Sequence, residues 1–269
     1  MPSTYELVRR TETGTRRVAA GSAVFGDGGF ALIGGPCSIE NREQMATVAA
    51  CVARAGGAML RGGAYKPRTS PYDFQGLGAL GVRIMAEAAH EHRIPAVTEV
   101  LAVEHAGEVA AHVAMIQIGA RNMQNVPLLQ AAARTGNAIL LKRGVAATLD
   151  EVLHAAEYIA LAGNERIVLC ERGIRGFDAH TRNVLDIGGA LRLKELTHLP
   201  VIVDPSHGCG RRSLVEPLVY AAAAAGLDGA IVEVHPRPDE SVSDAAQAID
   251  CATFARIAQR LAALYAVSA

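Results

Sequence analysis

The chain has 269 residues, 50% of them apolar and 20% charged, with a formal net charge of −1. A chain of this length can bury a large core, about three quarters of its unfolded surface, and its composition is that of a soluble globular chain rather than a disordered one. The near-zero charge argues against nucleic acid or an anionic membrane as partner, and no apolar run approaches the length of a membrane span.

Taken in chain order, residues 1–29 stand apart. Arg9, Arg10, Arg16 and Arg17 with several glycines suggest a short extension or hairpin that plugs the bottom of a barrel and is too short to be an independent domain. From residue 30 two textures alternate. Short apolar runs occur at Phe30–Ile33, Ala58–Leu60, Ala96–Val100, Met115–Ile118, Ile139–Leu141, Ile167–Leu169, Val201–Val203 and Ala230–Val232, with starts 19 to 38 residues apart. Ala/Leu-rich stretches with helical spacing follow them. Asn41, with Gln44 three residues on, is an N-cap for the first helix, whose apolar face is Met45, Val48, Ala49 and Val52. Further helices are expected at Leu149–Leu161, at Arg212–Ala225 and from about Asp244 to Tyr265. Strict strand–helix alternation predicts a parallel sheet with right-handed crossovers. Eight repeats predict an α/β fold with one (β/α)8 barrel over residues 30–269, an open doubly wound sheet being the alternative.

All eight strand ends of such a barrel open on one face, where its active sites lie. Here the ends carry Gly35-Pro36-Cys37, Arg61 with Lys66 and Arg68, Glu99, Gly119-Ala120-Arg121, Lys142-Arg143, Glu171-Arg172, Asp204-Pro205-Ser206-His207 and Glu233-Val234-His235. Loops are polar in any protein, but charged or metal-competent groups at every strand end point to a site. Arg61, Lys66, Arg68, Arg121, Lys142 and Arg172 would converge, and six cations in a near-neutral protein need anions there. Two phosphates and one carboxylate would balance them, at about −1.5 to −2 charges per phosphate. A second set is Cys37, His207, Glu233 and Asp244, the last read as opening the final helix. A thiolate, an imidazole and two carboxylates suit Mn, Fe, Co or Zn rather than Ca. Spacing alone does not single out these four, and Cys209 is a rival sulfur. The five cysteines are an odd set without framework spacing. With no leader peptide apparent, a reducing cytoplasm is expected.

These motifs resemble a known family. Gly35-Pro36-Cys37-Ser38, the run from Gly62 to Pro71 containing Lys66-Pro67-Arg68-Thr69, Gln117-Ile118-Gly119-Ala120-Arg121, Leu141-Lys142-Arg143-Gly144, Asp204-Pro205-Ser206-His207-Gly208 and Glu233-Val234-His235-Pro236 occur in the order found in 3-deoxy-7-phosphoheptulonate synthases of the short, barrel-only type. The resemblance spans roughly residues 30 to 250. It implies condensation of phosphoenolpyruvate with erythrose 4-phosphate, the entry step of the shikimate pathway to the aromatic amino acids. It also implies a divalent metal ion (Mn, Co, Fe or Zn) on Cys37, His207, Glu233 and Asp244. Phosphoenolpyruvate contacts would come from Arg61, Lys66, Ala120, Arg121, Lys142 and Arg172, and Arg68 and Thr69 would hold the aldehyde's phosphate. Lys66 is the candidate for proton traffic at the aldehyde. Glu99 or Glu171 would orient that lysine or a water, unless either only pairs with an arginine.

The related 3-deoxy-octulosonate 8-phosphate synthases carry a Lys-Ala-Asn-Arg type run where this chain has Lys66-Pro67-Arg68-Thr69, so the shorter, four-carbon aldehyde is expected. A sialic-acid-type synthase and a non-catalytic barrel that binds phosphorylated metabolites are the remaining alternatives. The chain departs from the family pattern at Val113-Ala114-Met115, at Val184 to Gly189 and at Cys209. The resemblance further implies small phosphorylated substrates, a homo-oligomer (tetramer or dimer), and feedback control, if any, from a separate protein such as a chorismate mutase.

Overall fold

The computed structural model describes residues 5–11, 13–68 and 70–267. A two-stranded antiparallel hairpin, β1 (Val18–Ala20) and β2 (Ala23–Phe25), comes first. Eight parallel strands then close into a barrel: β3 (Ala31–Gly35), β4 (Met59–Arg61), β5 (Ala96–Val100), β6 (Met115–Ile118), β7 (Ala138–Lys142), β8 (Ile167–Glu171), β9 (Val201–Val203) and β10 (Gly229–Glu233). Each apolar run of the sequence forms one of them. The ring shuts where β10 pairs in parallel with β3, Ile231 opposite Ile33.

The crossovers carry α1 (Arg42–Arg54), α2 (Ala79–Glu91), α3 (Ala106–Ala110), α4 (Val126–Arg134), α5 (Leu149–Leu161), α6 (Ile187–Leu196), α7 (Pro205–Cys209) and α8 (Arg212–Ala224), and α9 (Cys251–Val267) closes the chain. Local sequence accounts for their starts. The Asn41 side chain accepts the Gln44 amide at 2.8 Å, satisfying one of the orphan donors of α1. Thr148 and Glu151 form a reciprocal capping box on α5. Met45, Val48, Ala49 and Val52 are buried as one stripe of α1.

The two-residue period of the strands sorts their side chains between two cores. Leu32, Leu60, Ile116, Leu141, Leu169 and Val203 face outward under the helices. Ile33, Met59, Val97, Met115, Leu140, Ile202 and Ile231 face inward and pack with Val18, Ala20, Ala23 and Phe25 of the hairpin, which seals the barrel's N-terminal end. Burying each such side chain stabilises the fold by roughly 1.5–3 kcal/mol.

One element differs from expectation. The last helix begins at Cys251, capped by Asp250, whose carboxylate accepts the Thr253 amide at 2.7 Å. Asp244 lies in an irregular stretch before it, with φ at 55°. The chain cannot enter the helix earlier because the backbone here is tied elsewhere: Val234 and Ile249 form a parallel bridge, and the Val242 amide is held by Glu40 at 3.1 Å.

Candidate active site

Two residues beyond the inward apolar positions of seven strands (β3 has Gly35 there), the same parity delivers the next layer. Met59 is followed by Arg61, Val97 by Glu99, Met115 by Gln117, Leu140 by Lys142, Cys170 by Arg172, Ile202 by Asp204 and Ile231 by Glu233. On the fold's open face this layer floors a cavity of about 680 Å³. All six cations expected from the sequence line it: Arg61, Lys66, Arg68, Arg121, Lys142 and Arg172. Ala120, Glu99, His207 and Asp244 line it as well. Thr69 lies outside the described residues.

Parity also explains what the cavity excludes. Arg143 and Glu171 point away from the barrel axis and pair with each other at 2.9 Å, with Asp186 on the same guanidinium. Glu171 is therefore taken up by an arginine rather than turned to the pocket. Cys209 directs its thiol to the Pro205 carbonyl at 2.8 Å and stays out of the cavity. His235 is buried with Nε2 3.3 Å from a Glu40 oxygen.

At one side of the cavity Cys37, His207, Glu233 and Asp244 each bring a donor atom within 4.8 Å of the others. Cys37 Sγ is 3.2 Å from Asp244 Oδ2, and His207 Nε2 is 3.2 Å from Glu233 Oε1 and 3.8 Å from Asp244 Oδ2. The remaining polar atoms of the set are held from behind. Asp204 Oδ2 faces His207 Nδ1 at 2.7 Å, which orients the ring so that Nε2 faces the cluster. Gln247 donates to Glu233 Oε2 at 2.7 Å, and Arg182 donates to Asp244 Oδ1 at 3.2 Å. Sulfur, imidazole and two carboxylate oxygens at close range are a donor set that fits a borderline divalent ion and suits Ca or Mg poorly.

Electrostatics ties this cluster to the cations. Lys66 Nζ donates to Cys37 O at 2.9 Å and to Cys37 Sγ at 3.0 Å, and Arg61 pairs with Glu233 at 3.0 Å. Lys142 and His207 share one Asp204 oxygen. Burial pushes the Cys37 thiol up to about 12; Glu233 adds to the rise, and Lys66 only partly opposes it. Burial would also raise the Asp204 carboxyl, but His207 and Lys142 outweigh it and hold the group well below the usual carboxylate range. Against the same burial, His207 and Arg61 keep Glu233 low. Arg172 is buried and forms no ion pair among the described residues; burial pushes its guanidinium below the ordinary value. A desolvated guanidinium that makes no close ion pair among the described residues, and that the field of Asp204 only partly compensates, is the cavity's plainest demand for an anion.

Two glycines are required by close approach. A Cβ at Gly63 would lie 2.6 Å from Lys66 Cδ and 2.5 Å from Cys37 O. At Gly119 it would sit 1.9 Å from Glu99 Oε1, a carboxylate that Gln117 holds at 3.1 Å.

Several residues of the site carry no assignment from the sequence. Gln117 and Asp204 were findable, since each stands two residues past an inward apolar side chain. Arg175 and Arg182 also line the cavity, and Gln247 braces Glu233 and Arg182. All three lie in irregular loops, where no period marks them.

Residues 12–266 match the model of the DAHP synthetase I family. The chain belongs to this family. Among curated relatives, a phospho-2-dehydro-3-deoxyheptonate aldolase of Thermotoga maritima is 48% identical over 241 residues, 90% of this chain and 71% of the relative. A crystal structure of the Thermotoga maritima DAHP synthase superposes with a TM-score of 0.95 at 45% identity, covering 98% of this chain and 78% of the other. Its truncated form gives 0.91 at 42% identity, over 98% and 97% of the two chains. More distant is a 2-dehydro-3-deoxyphosphooctonate aldolase of a Bradyrhizobium species, 32% identical over 91% of this chain and 92% of the relative. Membership in the DAHP synthetase I family thus rests on nearly the whole barrel.

Proposed function

We propose that this chain is a metal-dependent 3-deoxy-7-phosphoheptulonate synthase that joins phosphoenolpyruvate to erythrose 4-phosphate and releases phosphate. One observation carries the reading: a single cavity holds a large cation excess beside a four-donor cluster, and Lys66 touches both. Eight cationic side chains line it against three carboxylates. That excess suits two phosphates and a carboxylate, together about −4 to −5. Family membership and the heptonate relative supply the chemistry.

In this reading Arg61, Arg121, Lys142 and Arg172 bind phosphoenolpyruvate beside Ala120, with guanidinium forks suited to its carboxylate and phosphate. Arg68 and Thr69 hold the aldehyde's phosphate. Carbon 3 of phosphoenolpyruvate bonds to the aldehyde carbon, and carbon 2 becomes electron-poor. Lys66 delivers the proton to the new alkoxide. Glu99 accepts a proton from the water that adds at carbon 2; the C–O bond to phosphate then breaks as the new carbon-2 hydroxyl gives its proton to the departing phosphate and becomes the keto group. A divalent ion (Mn, Co, Fe or Zn) on Cys37, His207, Glu233 and Asp244 would supply Lewis-acid polarisation of the aldehyde. The chain would act as a cytoplasmic homo-oligomer, dimer or tetramer, with any feedback control lent by a separate protein such as a chorismate mutase. No helix among the described residues is long and apolar enough to cross a membrane.

Phosphate release measured with erythrose 4-phosphate and with arabinose 5-phosphate tests the reading. Release with the four-carbon aldehyde, abolished by a chelator and restored by Mn²⁺ or Co²⁺, is expected. Preference for the five-carbon aldehyde would transfer the chain to octulosonate chemistry, and full activity after chelation would remove the metal. Arg68→Ala should raise KM for the aldehyde far more than for phosphoenolpyruvate.

A further inference from the structure

Two of the four donors sit on segments far apart in sequence, and only one of those segments is part of the barrel. Cys37 follows β3, and its backbone continues the sheet: Gly63 N donates to Cys37 O at 3.2 Å, and Ile39 N to Gly63 O at 3.0 Å. Asp244 belongs to the irregular stretch between β10 and α9, in a left-handed conformation that Asp adopts more readily than most residues with a Cβ. What ties this stretch to the barrel is visible. Ser38 Oγ and Ser243 Oγ are 2.6 Å apart, both residues are buried, and each is the immediate neighbour of a donor residue. A second tie runs alongside, from the Val242 amide to Glu40 Oε1. On the barrel side Gln44 fixes this turn, accepting the Glu40 amide at 3.0 Å and donating to the Ser38 carbonyl at 3.1 Å.

We infer that Ser38 and Ser243 are positioning residues: their hydroxyl pair is a strut that carries the rigidity of the barrel to Asp244 and sets its carboxylate at metal-binding distance from Cys37. The two hydroxyls are engaged with each other, and the close donor atoms are those of Cys37, His207, Glu233 and Asp244, so the serines would contribute to the spacing of the donors rather than to their number. The inference rests on the metal reading above. Without the strut, Asp244 keeps its contact with Arg182 but loses its neighbour's tie to the barrel, so part of its ordering falls to the ion and affinity drops by that cost. Outer-shell supports of metal ligands contribute on the order of 10–100-fold in affinity.

The test is a double-mutant cycle on Mn²⁺ affinity, measured by competition with a chelator on the purified protein. Ser38→Ala and Ser243→Ala are each expected to weaken Mn²⁺ about tenfold or more. The double variant should be no weaker than either single one, since both remove one hydrogen bond. Thermal midpoints of the metal-free variants should stay close to the parent's. Wild-type affinity in either single variant overturns the strut, and so do losses that multiply in the double variant. Failure of the unsubstituted protein to bind Mn²⁺ would instead strike the metal reading itself, a different result in a different sample. If a serine variant does not fold, Glu40→Ala loosens the parallel tie. It should weaken Mn²⁺ by a few-fold, and unchanged affinity there overturns the inference.

Discussion

The two ends of the barrel are built by the same strands and do opposite things with them. At the N-terminal end the inward side chains are Ile33, Met59, Val97, Met115, Ile202 and Ile231, closed off by Phe25 and the other apolar residues of the hairpin. One strand pitch higher, the inward positions are Arg61, Glu99, Gln117, Lys142, Asp204 and Glu233. Burying the pairs Arg61–Glu233 and Lys142–Asp204 costs several kcal/mol of desolvation per ion before their attraction is counted. The upper layer is a poor source of stability, which fits the preorganised site proposed for it. The lower layer can offset that cost because it buries apolar area with nothing polar left unpaired. Stability and chemistry are thus separable along the barrel axis, and substitutions at the two ends should move different observables.

The largest separation is expected at the upper end. Cys37→Ala removes the one soft donor of the cluster, and activity should drop by about three orders of magnitude, as the loss of several kcal/mol of charge stabilisation requires. Bound metal by elemental analysis should vanish with it, while the thermal midpoint stays near that of the metal-free parent. Cys51, whose thiol faces the Cys251 carbonyl at 3.8 Å between α1 and α9, is the control. Cys51→Ala should keep both metal and activity. Identical behaviour of the two variants would show that the choice of sulfur is wrong.

At the lower end the effect moves to stability. Phe25 is fully buried at the base of the barrel, and Phe25→Ala should cost about 3–5 kcal/mol in denaturant unfolding through lost burial and the cavity left behind. The folded fraction, assayed well below its midpoint, should turn over within about twofold of the parent, since Phe25 packs with the lower, apolar layer of inward side chains. A large loss of turnover at unchanged stability would mean that the two ends are not separable.

This division also explains how much could be read in the sequence. The strands were legible because a fully buried parallel strand is an apolar run with a polar stop, and all eight stops are charged or metal-competent. Lys142 and Arg143 look equivalent in a sequence, as do Glu171 and Arg172. Only the phase of each strand tells which member faces the axis, and phase is fixed by pairing across the sheet: Lys142 lies opposite Cys170, so Arg143 and Glu171 share the outer face. Asp244 reads as a helix start for a related reason. Its neighbours have helical composition, and what holds the backbone out of a helix is Ser38 and Glu40, some 200 residues earlier. Arg182 and Gln247 leave no mark in the sequence because loops carry no period, so nothing local singles out a side chain that reaches back to a donor.

The smallest effect concerns the protonation of the upper layer. With its thiol held up at about 12 by burial and by Glu233, Cys37 is almost wholly protonated at neutral pH in the metal-free protein. A divalent ion on the proposed cluster would require the thiolate, so each binding event would expel one proton from sulfur. The sign follows: apparent Mn²⁺ affinity should rise as pH rises, about tenfold per unit between roughly pH 7 and 8.5, after correction for the competing chelator's own protonation. The rise stops only where the thiol would ionise unaided. Glu233 and Asp244 contribute no slope in this window, because His207, together with Arg61 for one and Arg182 for the other, keeps both carboxyls below their ordinary values despite burial. A flat profile would mean that the thiolate already exists before the ion arrives, stabilised by Lys66 at 3.0 Å. In that case Lys66 would be committed to the sulfur as a counter-ion, and the proton for the aldehyde would have to come from another group.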